Sequence, residues 1–490
     1  MADASTTPVG DDDHLKKDAI SAAGIIFLVL AAASPLIGLT GAVPSAMVVG
    51  NGLGVSLAYV VVGLILLLFA VGYVAMAHQV TNAGALYAYI GRGLGSTVGF
   101  GAASVAIWAY TVVQIAIYAF FGVVAGGSLN GWLGLEIPWW VWTLVLVALV
   151  QVFGYLQIDI GAKVLGVLLV LEWGTMILLG ISIAVQGGAG EGFAAAEVLS
   201  PATLLSGAPG VALVFAFASM FGFEAAAIYG EEVRDPKRSV PRATYLSITL
   251  VLLFFAFTSW MLVVGYGPAQ AVGEATRTLE SGDPAQYVFA AGERYLGPWA
   301  PYAMSSFVIT SMFAAALAFH NSIARYLFTL GRNRVLPAAL AHVHPRTQVP
   351  VVASITQSVS AVVLMAPFML IGADPVATLF FWGSGIAVVG IVALYVLVAV
   401  AVVVFFRSNR ELDPRRWHTQ IAPALSALIL AGALALIVLN FPTLIGGSAG
   451  VATVLALTIP AFFIVGLLLA RAMKSRLSPA AMSDLEQELR

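Results

Sequence analysis

The stretch SMFGFEAAAIYGEEVRDPKRSVPRA, Ser219 to Ala243, begins as an apolar segment and ends crowded with charged residues. Its first acidic residue, Glu224, follows Gly222 and Phe223 inside a run that is apolar enough to cross a membrane. An ionisable side chain at membrane depth is costly and usually marks a functional site. The glycine predicts an interrupted helix, because irregular backbone in a membrane is tolerated only where protein or water covers it. The stretch therefore predicts a broken membrane helix that carries a buried acid.

Composition fixes the class of protein. The chain has 490 residues, of which 60% are hydrophobic and 9% are charged, whereas soluble domains average about 25% charged residues. This mixture predicts an all-α integral membrane protein. The net charge of −2 gives no reason to expect a nucleic-acid partner. The absence of cysteine excludes disulfides, thiolate zinc sites and thiol catalysis.

Apolar runs bounded by Gly, Pro and charge predict twelve transmembrane helices, since one span needs roughly 20 mostly apolar residues. A polar tail, 1–18, would precede the twelve-helix domain at 19–471, and a second tail would follow at 472–490. We number the helices 1 to 12 in chain order; their predicted ranges are 19–46, 52–77, 96–125, 138–156, 162–186, 207–230, 244–266, 299–325, 350–371, 376–405, 421–441 and 450–471.

The distribution of positive charge predicts the orientation. With the N-terminus in the cytoplasm, all of the 22 Lys and Arg residues except Arg277 and Arg294 fall at or near the inner face. Cytoplasmic loops carry this excess of Lys and Arg. We therefore expect a multi-pass protein of the cytoplasmic membrane with both termini in the cytoplasm.

Two helices are interrupted at matching places. Helix 1 contains SPLIGLTGAVP, Ser34 to Pro44, and helix 6 is interrupted around Ser219–Phe223. They are the first members of two five-helix units, about 19–186 and 207–405, and such paired interruptions point to a substrate site between inverted repeats. Free N–H groups of half-helices would suit a carboxylate, and freed carbonyls would suit an ammonium group. The alternative is that the glycines only permit close helix packing. The candidate binding residues here are Ile37, Gly38, Leu39, Thr40, Gly41, Phe217, Ser219, Phe221, Gly222 and Phe223.

Further polar residues lie inside apolar helices. Glu172 and Glu224 are candidate proton carriers, because a buried carboxylate must be paired or protonated; the alternative is a structural carboxylate that joins two helices. Tyr110 and Gln114 share one face of helix 3 with Tyr118. That face either lines the pathway or hydrogen bonds to other helices. The phenylalanines of helix 6 act as a gate over the substrate or belong to ordinary packing.

Three motifs resemble the amino acid–polyamine–organocation (APC) family of permeases along essentially the whole chain. They are GFE and EE followed by DPKRSVPRA (Asp235 to Ala243), TNAGALYAYIGRGLG (Thr81 to Gly95), and NSIARYLFTLGRNRVLP (Asn321 to Pro337). The resemblance implies two inverted five-helix repeats with helices 11 and 12 appended. It also implies alternating-access transport of an amino acid or related amine, with a proton-linked glutamate at position 224.

Two positions depart from that family. Glu172 falls where many relatives carry a lysine in helix 5 that takes the place of a coupling sodium ion. Thr40 stands where a second glycine is usual in relatives that bind an α-carboxylate, which leaves amines without a carboxylate possible. In helix 8 the segment Ala314–Ala318 offers no hydroxyl for sodium, although Thr310 and Ser311 lie a turn earlier. Protons are therefore the favoured coupling ion.

The sequence thus predicts a proton-coupled secondary transporter of an amino acid or amine, held in a lipid bilayer. An exchanger of amino acids or polyamines is the close alternative, and a permease-like nutrient sensor is a more distant one. No nucleophile–base pair, metal-ligand cluster or phosphate loop is present, so we expect neither an enzyme nor a bound metal or cofactor. The sequence gives no prediction for the oligomeric state.

Overall fold

The computed structural model describes residues 22–80, 85–156, 162–224, 226, 235–347 and 349–474. The predicted N-terminal tail, most of the C-terminal tail and residues 227–230 of helix 6 lie outside these ranges. Within them the chain is helical, and ten helices are long and apolar enough to cross a membrane. The total of twelve crossings and the inverted repeat remain predictions.

Nine of the ten helices correspond to predicted spans 3 to 5 and 7 to 12, and the tenth, Pro35–Ala77, joins the second half of helix 1 to helix 2. Boundaries differ mainly where a predicted loop is helical. Helix 7 begins at Pro236, where proline suits the first helical turn, so the motif that resembles the permeases lies largely inside this helix. The observed bounds of helices 2 to 5 and 7 to 12 are Val55–Ala77, Ser96–Leu133, Trp139–Leu156, Ala162–Val185, Pro236–Tyr266, Ala300–Arg332, Val351–Leu370, Pro375–Ser408, Trp417–Leu444 and Ala449–Lys474.

Helix 1 is broken at a single residue. Its first half, Ala22–Ala33, ends at Ser34, whose φ of 39° and ψ of 64° are left-handed. Pro35 then starts a new helical segment, which continues through wide turns at Gly38–Ala42 and Ala46–Asn51. The predicted break within Ser34–Pro44 is confirmed, and it lies at the first residue of that stretch. The prolines and glycines that follow it lie in helical segments, one of which is the wide turn Gly38–Ala42.

Helix 6 is broken where the sequence predicts it. The first half, Pro209–Met220, is followed by Phe221 in an extended conformation and by Gly222 with φ of 109°. Only glycine adopts that φ without strain. The chain therefore leaves the helix axis at the Gly-Phe-Glu sequence.

Other elements surround the two breaks. Helix 3 contacts helices 4, 8, 10 and 12, which places it at the centre of the bundle. Between helices 7 and 8, a pair of short helices, Pro268–Glu280 and Gln286–Leu296, contacts the second half of helix 1. Both breaks consequently lie inside the protein, covered by neighbouring helices.

Candidate functional site

The break in helix 1 has its amides satisfied within the protein. Pro35 has no N–H, and the N–H of Leu36 donates to Oε1 of Glu172 at 3.3 Å. The N–H of Ile37 donates to the carbonyl of Ser34 at 3.0 Å, and that of Gly38 donates to the carbonyl of Pro35. The expectation that this half-helix offers free N–H groups to a substrate carboxylate is therefore wrong. The start of the second half has no unsatisfied donor left.

The break in helix 6 is built around Glu224, which is 2% exposed. Its Oε2 accepts the N–H of Gly222 at 2.8 Å and the hydroxyl of Tyr395 at 3.0 Å, while its Oε1 accepts the hydroxyl of Tyr110 at 3.1 Å. Tyr73 donates to the main-chain carbonyl of Glu224 at 3.2 Å. Four separate helices, 2, 3, 6 and 10, therefore meet at this one residue.

At each helix break a glutamate side chain accepts a main-chain N–H. In a continuous helix the N–H of residue i donates to the carbonyl of residue i−4. The amide of Leu36 donates instead to Glu172, and the amide of Gly222 donates to Glu224. The carbonyls that end each first half lose those donors. Because the C-terminal end of a helix carries partial negative charge, the end of each first half favours a cation over an anion.

Glu172 is joined to helices 1 and 8 as well. It is 4% exposed, and the hydroxyl of Ser311 donates to its Oε1 at 3.2 Å. The hydroxyl of Ser34 donates to the carbonyl of Ser311 at 3.4 Å. The sequence places hydroxyl side chains in helix 8 one turn before Ala314–Ala318. The packing of the helices shows that Ser311 is the one that contacts Glu172.

A cavity lies between the two breaks. It encloses about 500 Å³, its open mouth included, and helices 1, 3, 6, 8 and 10 form its wall. Among the described residues the wall has polar side chains only at Ser34, Ser219 and Ser384, and it has no charged side chain. Phe221 and Phe319 meet edge to face at 6.2 Å between ring centres at one end. The cavity is small, mostly apolar and adjacent to both glutamates.

Four of the predicted binding residues line this cavity, namely Ile37, Gly38, Ser219 and Phe221. A Cβ on Gly38 would lie 2.5 Å from the ring of Phe255 and 2.6 Å from the hydroxyl of Ser219. Glycine at this position therefore lets helix 1 approach helices 6 and 7 closely. The close packing that was the alternative explanation of this glycine is therefore present, and the same residue also lines the cavity.

The other predicted residues lie behind the wall. Thr40 donates its hydroxyl to the carbonyl of Leu36 at 2.7 Å, and Gly41 packs under the rings of Phe120 and Phe380. Leu39 and Phe217 are each 1% exposed. These side chains support the broken segments.

Gly222, Phe223 and Tyr110 belong to the cluster around Glu224. Phe223 contacts the rings of Tyr73 and Tyr395, with centres 6.0 and 5.6 Å apart. Tyr110 lies against Phe319 at 5.7 Å between ring centres, and Phe319 also lines the cavity. Phe221 and Phe319 are therefore the cavity residues that contact, or adjoin in sequence, the cluster around Glu224.

Gln114 of helix 3 forms hydrogen bonds to helices 8 and 9. It donates to the hydroxyl of Tyr118 at 2.9 Å and to the carbonyl of Ala316 at 2.9 Å. Its own oxygen accepts the amide of Gln357 at 2.6 Å. The polar face of helix 3 therefore makes interhelical hydrogen bonds at Gln114.

The described residues contain no group of three or more His, Asp or Glu side chains that could hold a metal ion.

The fold and the site define a multi-pass helical membrane protein with two broken helices around an internal cavity. The chain belongs to the amino acid permease family, whose model matches residues 24–481. The resemblance seen in the sequence motifs is thereby confirmed.

Individual relatives cover less of the chain. It is 33% identical over 138 residues to an uncharacterized transporter of Mycobacterium tuberculosis, over 28% of either protein. It is 24% identical over 312 residues to the low-affinity putrescine importer of Escherichia coli K12, over 62% of this chain and 65% of that protein. It is 28% identical over 148 residues to cationic amino acid transporter 3 of Arabidopsis thaliana, over 30% of this chain and 22% of that protein. The alignments to the mycobacterial relatives span little more than a quarter of their length.

Proposed function

We propose that this protein is a proton-coupled secondary transporter of organic amines, working by alternating access across the cytoplasmic membrane. The observation that carries the proposal is the pair of buried glutamates, each of which accepts the amide freed at a helix break. Both breaks flank the cavity, so a change in either carboxylate acts directly on the backbone that surrounds a bound substrate.

The substrate class follows from the electrostatics of the cavity. The N–H groups at the start of the second half of helix 1 are already used, and no Lys or Arg of the described residues lines the wall. A substrate carboxylate would therefore enter without a partner, at a high desolvation cost. An ammonium group meets the negative ends of two half-helices. The names of two relatives, a putrescine importer and a cationic amino acid transporter, agree with a cationic substrate.

Proton coupling follows from what protonation does to these contacts. An ionised Glu172 is a strong acceptor for the Leu36 amide and the Ser311 hydroxyl, and charge-assisted hydrogen bonds are the stronger kind. Protonation of Glu172 removes the negative charge of the carboxylate and weakens these hydrogen bonds to helices 1 and 8. An ionised Glu224 is in the same way a strong acceptor for the Gly222 amide of helix 6 and for the hydroxyls of Tyr110 and Tyr395. Binding and release of a proton would thus loosen and tighten the two broken helices.

The first test is uptake into proteoliposomes that contain the purified full-length protein. Radiolabelled putrescine, ethanolamine, alanine and lysine are offered with and without an inward proton gradient. We expect an amine to accumulate only with the gradient, and a protonophore to abolish accumulation. Glu172→Gln keeps an oxygen that accepts from Leu36 but cannot ionise, so concentrative uptake should fall to the level of protein-free liposomes while exchange of substrate continues.

Controls separate coupling from folding. Glu280→Gln changes an exposed glutamate in the pair of short helices between helices 7 and 8, and uptake should stay at the wild-type level. Full retention of gradient-driven accumulation by Glu172→Gln would overturn the role of this residue. Counterflow by the wild type with no net uptake would replace the proposal with an exchanger, and accumulation of alanine alone would overturn the amine assignment.

A further inference from the structure

Ser384 differs from the other two serines of the cavity. It is 3% exposed and lines the cavity from helix 10. The hydroxyl of Ser34 donates to the carbonyl of Ser311, and that of Ser219 donates to the carbonyl of Phe215 and contacts the hydroxyl of Tyr59. The described residues provide no hydrogen-bond partner for Ser384. Its hydroxyl is therefore the free polar side-chain group of the cavity wall.

A free serine hydroxyl is unusual inside this membrane domain. Helical serines and threonines commonly donate to the carbonyl four residues earlier, and Ser45, Ser259 and Thr258 do so here at 2.6, 2.5 and 2.6 Å. An unpaired hydroxyl inside a protein has lost hydrogen bonds to water without replacing them. A group that is left unpaired beside a cavity is well placed to bind a ligand.

The start of helix 10 directs this residue at the cavity. The helix opens with a wide turn, Pro375–Phe380, capped by Asp374, whose carboxylate accepts the amides of Val376 and Ala377. Wide turns of this kind occur frequently at functional sites. Phe380 and Ser384 are four residues apart, hence on one face, and both line the cavity.

The surroundings of Ser384 select the chemistry of its ligand. The cavity wall has no carboxylate among the described residues, and the oxygens of Glu224 are occupied by Tyr110, Tyr395 and Gly222. A second ammonium group at Ser384 would lose its hydration for a single hydroxyl acceptor. A neutral hydrogen-bonding group would find both a donor and an acceptor there.

We infer that Ser384 is a specificity-determining residue that binds a neutral polar end of the substrate, so that the preferred substrate is a short monoamine with a hydroxyl or carbonyl group at its far end. This inference rests on the proposed function, because it uses the amine assignment to orient the substrate. The ammonium group lies at the helix breaks and the neutral end lies against helix 10.

The test compares three ligands of equal heavy-atom count: 3-amino-1-propanol, butylamine and 1,3-diaminopropane. Their affinities are measured by isothermal titration to the full-length protein in detergent. For the wild type we expect 3-amino-1-propanol to bind most tightly. Ser384→Ala should reduce the preference for the alcohol over butylamine by roughly 2- to 13-fold, the range that one hydrogen bond supplies. Butylamine affinity should stay the same or improve.

Two further variants separate the hydrogen bond from volume and folding. Ser384→Cys keeps nearly the same size with a weak donor, and it should behave as Ser384→Ala does. Ser426→Ala removes a buried hydroxyl that bonds to Pro423 of its own helix, away from the cavity, and should leave the preference unchanged.

The outcomes distinguish this inference from the function on which it rests. Unchanged ligand preference in Ser384→Ala, with normal amine binding, would overturn the role of Ser384 and leave the transporter proposal standing. Tightest binding of 1,3-diaminopropane by the wild type would overturn the neutral-end assignment alone. If the wild type binds none of the three amines, the proposed function fails, and the inference fails with it.

Discussion

At the scale of a single residue, Gly222 decides the shape of helix 6. Its φ of 109° turns the chain out of the helix, and its N–H then reaches the carboxylate of Glu224 at 2.8 Å. A side chain at this φ is strained whatever space surrounds it. The glycine in the sequence Gly-Phe-Glu is therefore a backbone requirement of the buried acid that follows it.

Gly222→Ala should destabilise the protein, because a non-glycine residue in a sparsely populated region of φ and ψ costs about 1–3 kcal/mol. We expect the thermal unfolding midpoint of the detergent-purified protein to fall by a few degrees at a fixed scan rate. Gly174→Ala is the matched control, since a Cβ there meets nothing within 4 Å and its φ is ordinary. Equal midpoints for the two variants would contradict the argument.

At the scale of elements, Glu224 joins helices that are far apart in sequence. The hydroxyls of Tyr110 in helix 3 and Tyr395 in helix 10 both donate to its carboxylate. Phe69 of helix 2 packs against the ring of Tyr395 at 4.8 Å. The broken helix is thus held by its neighbours through one polar side chain.

Tyr110→Phe and Tyr395→Phe should each destabilise the fold by about 0.5–2 kcal/mol, the range found for hydrogen bonds between membrane helices. The double variant should deviate from the sum of the two, because both hydroxyls share one carboxylate. Unfolding midpoints in detergent measure all three. Tyr302→Phe, at a position that is 61% exposed, should be neutral; strict additivity would mean that the two tyrosines act independently.

At the scale of the whole molecule, the predicted orientation depends on how many times the chain crosses the bilayer. Ser281 lies in the pair of short helices after helix 7, and Ser408 ends helix 10. Helices 8, 9 and 10 lie between them. An odd number of crossings places the two serines on opposite sides of the membrane.

Single-cysteine labelling tests this arrangement directly, because the chain has no cysteine of its own. In intact cells a membrane-impermeant maleimide should label Ser281→Cys, whereas Ser408→Cys should react only after permeabilisation. Both positions are exposed in the structure. The opposite pattern would invert the orientation, and labelling of both in intact cells would refute the helix count between them.

Much of the architecture could be predicted from the sequence. Apolar length and glycine and proline placement located the continuous helices and both breaks, since each is a local property of the chain. The two buried acids were also visible, because a charge inside an apolar run is conspicuous. The position of the helix 1 break was predicted less sharply: the sequence places it within Ser34–Pro44, and the structure places it at the left-handed Ser34, which is followed by a wide helical turn.

The contacts of the site could not be predicted in the same way. Phe319 and Ser384 carry no sequence signal that distinguishes them from other residues of apolar helices, and Ser311 stands out in the sequence only as a hydroxyl one turn before Ala314–Ala318. They become candidates because helices 8 and 10 pack beside the breaks in helices 1 and 6. Four of the predicted binding residues line the cavity: Ile37, Gly38, Ser219 and Phe221. The other predicted residues pack against neighbouring helices and do not line it.

The sequence by itself determined that this is a helical membrane protein of the permease type with two interrupted helices and two buried acids, because bilayer thickness and backbone hydrogen bonding act on local segments. Only the tertiary structure decided which groups those acids bind and what the cavity can accept. Glu172 meets an amide 136 positions earlier in the chain, and Tyr395 reaches Glu224 across 171 positions. Contacts at such separations depend on how whole helices pack, which no local pattern specifies.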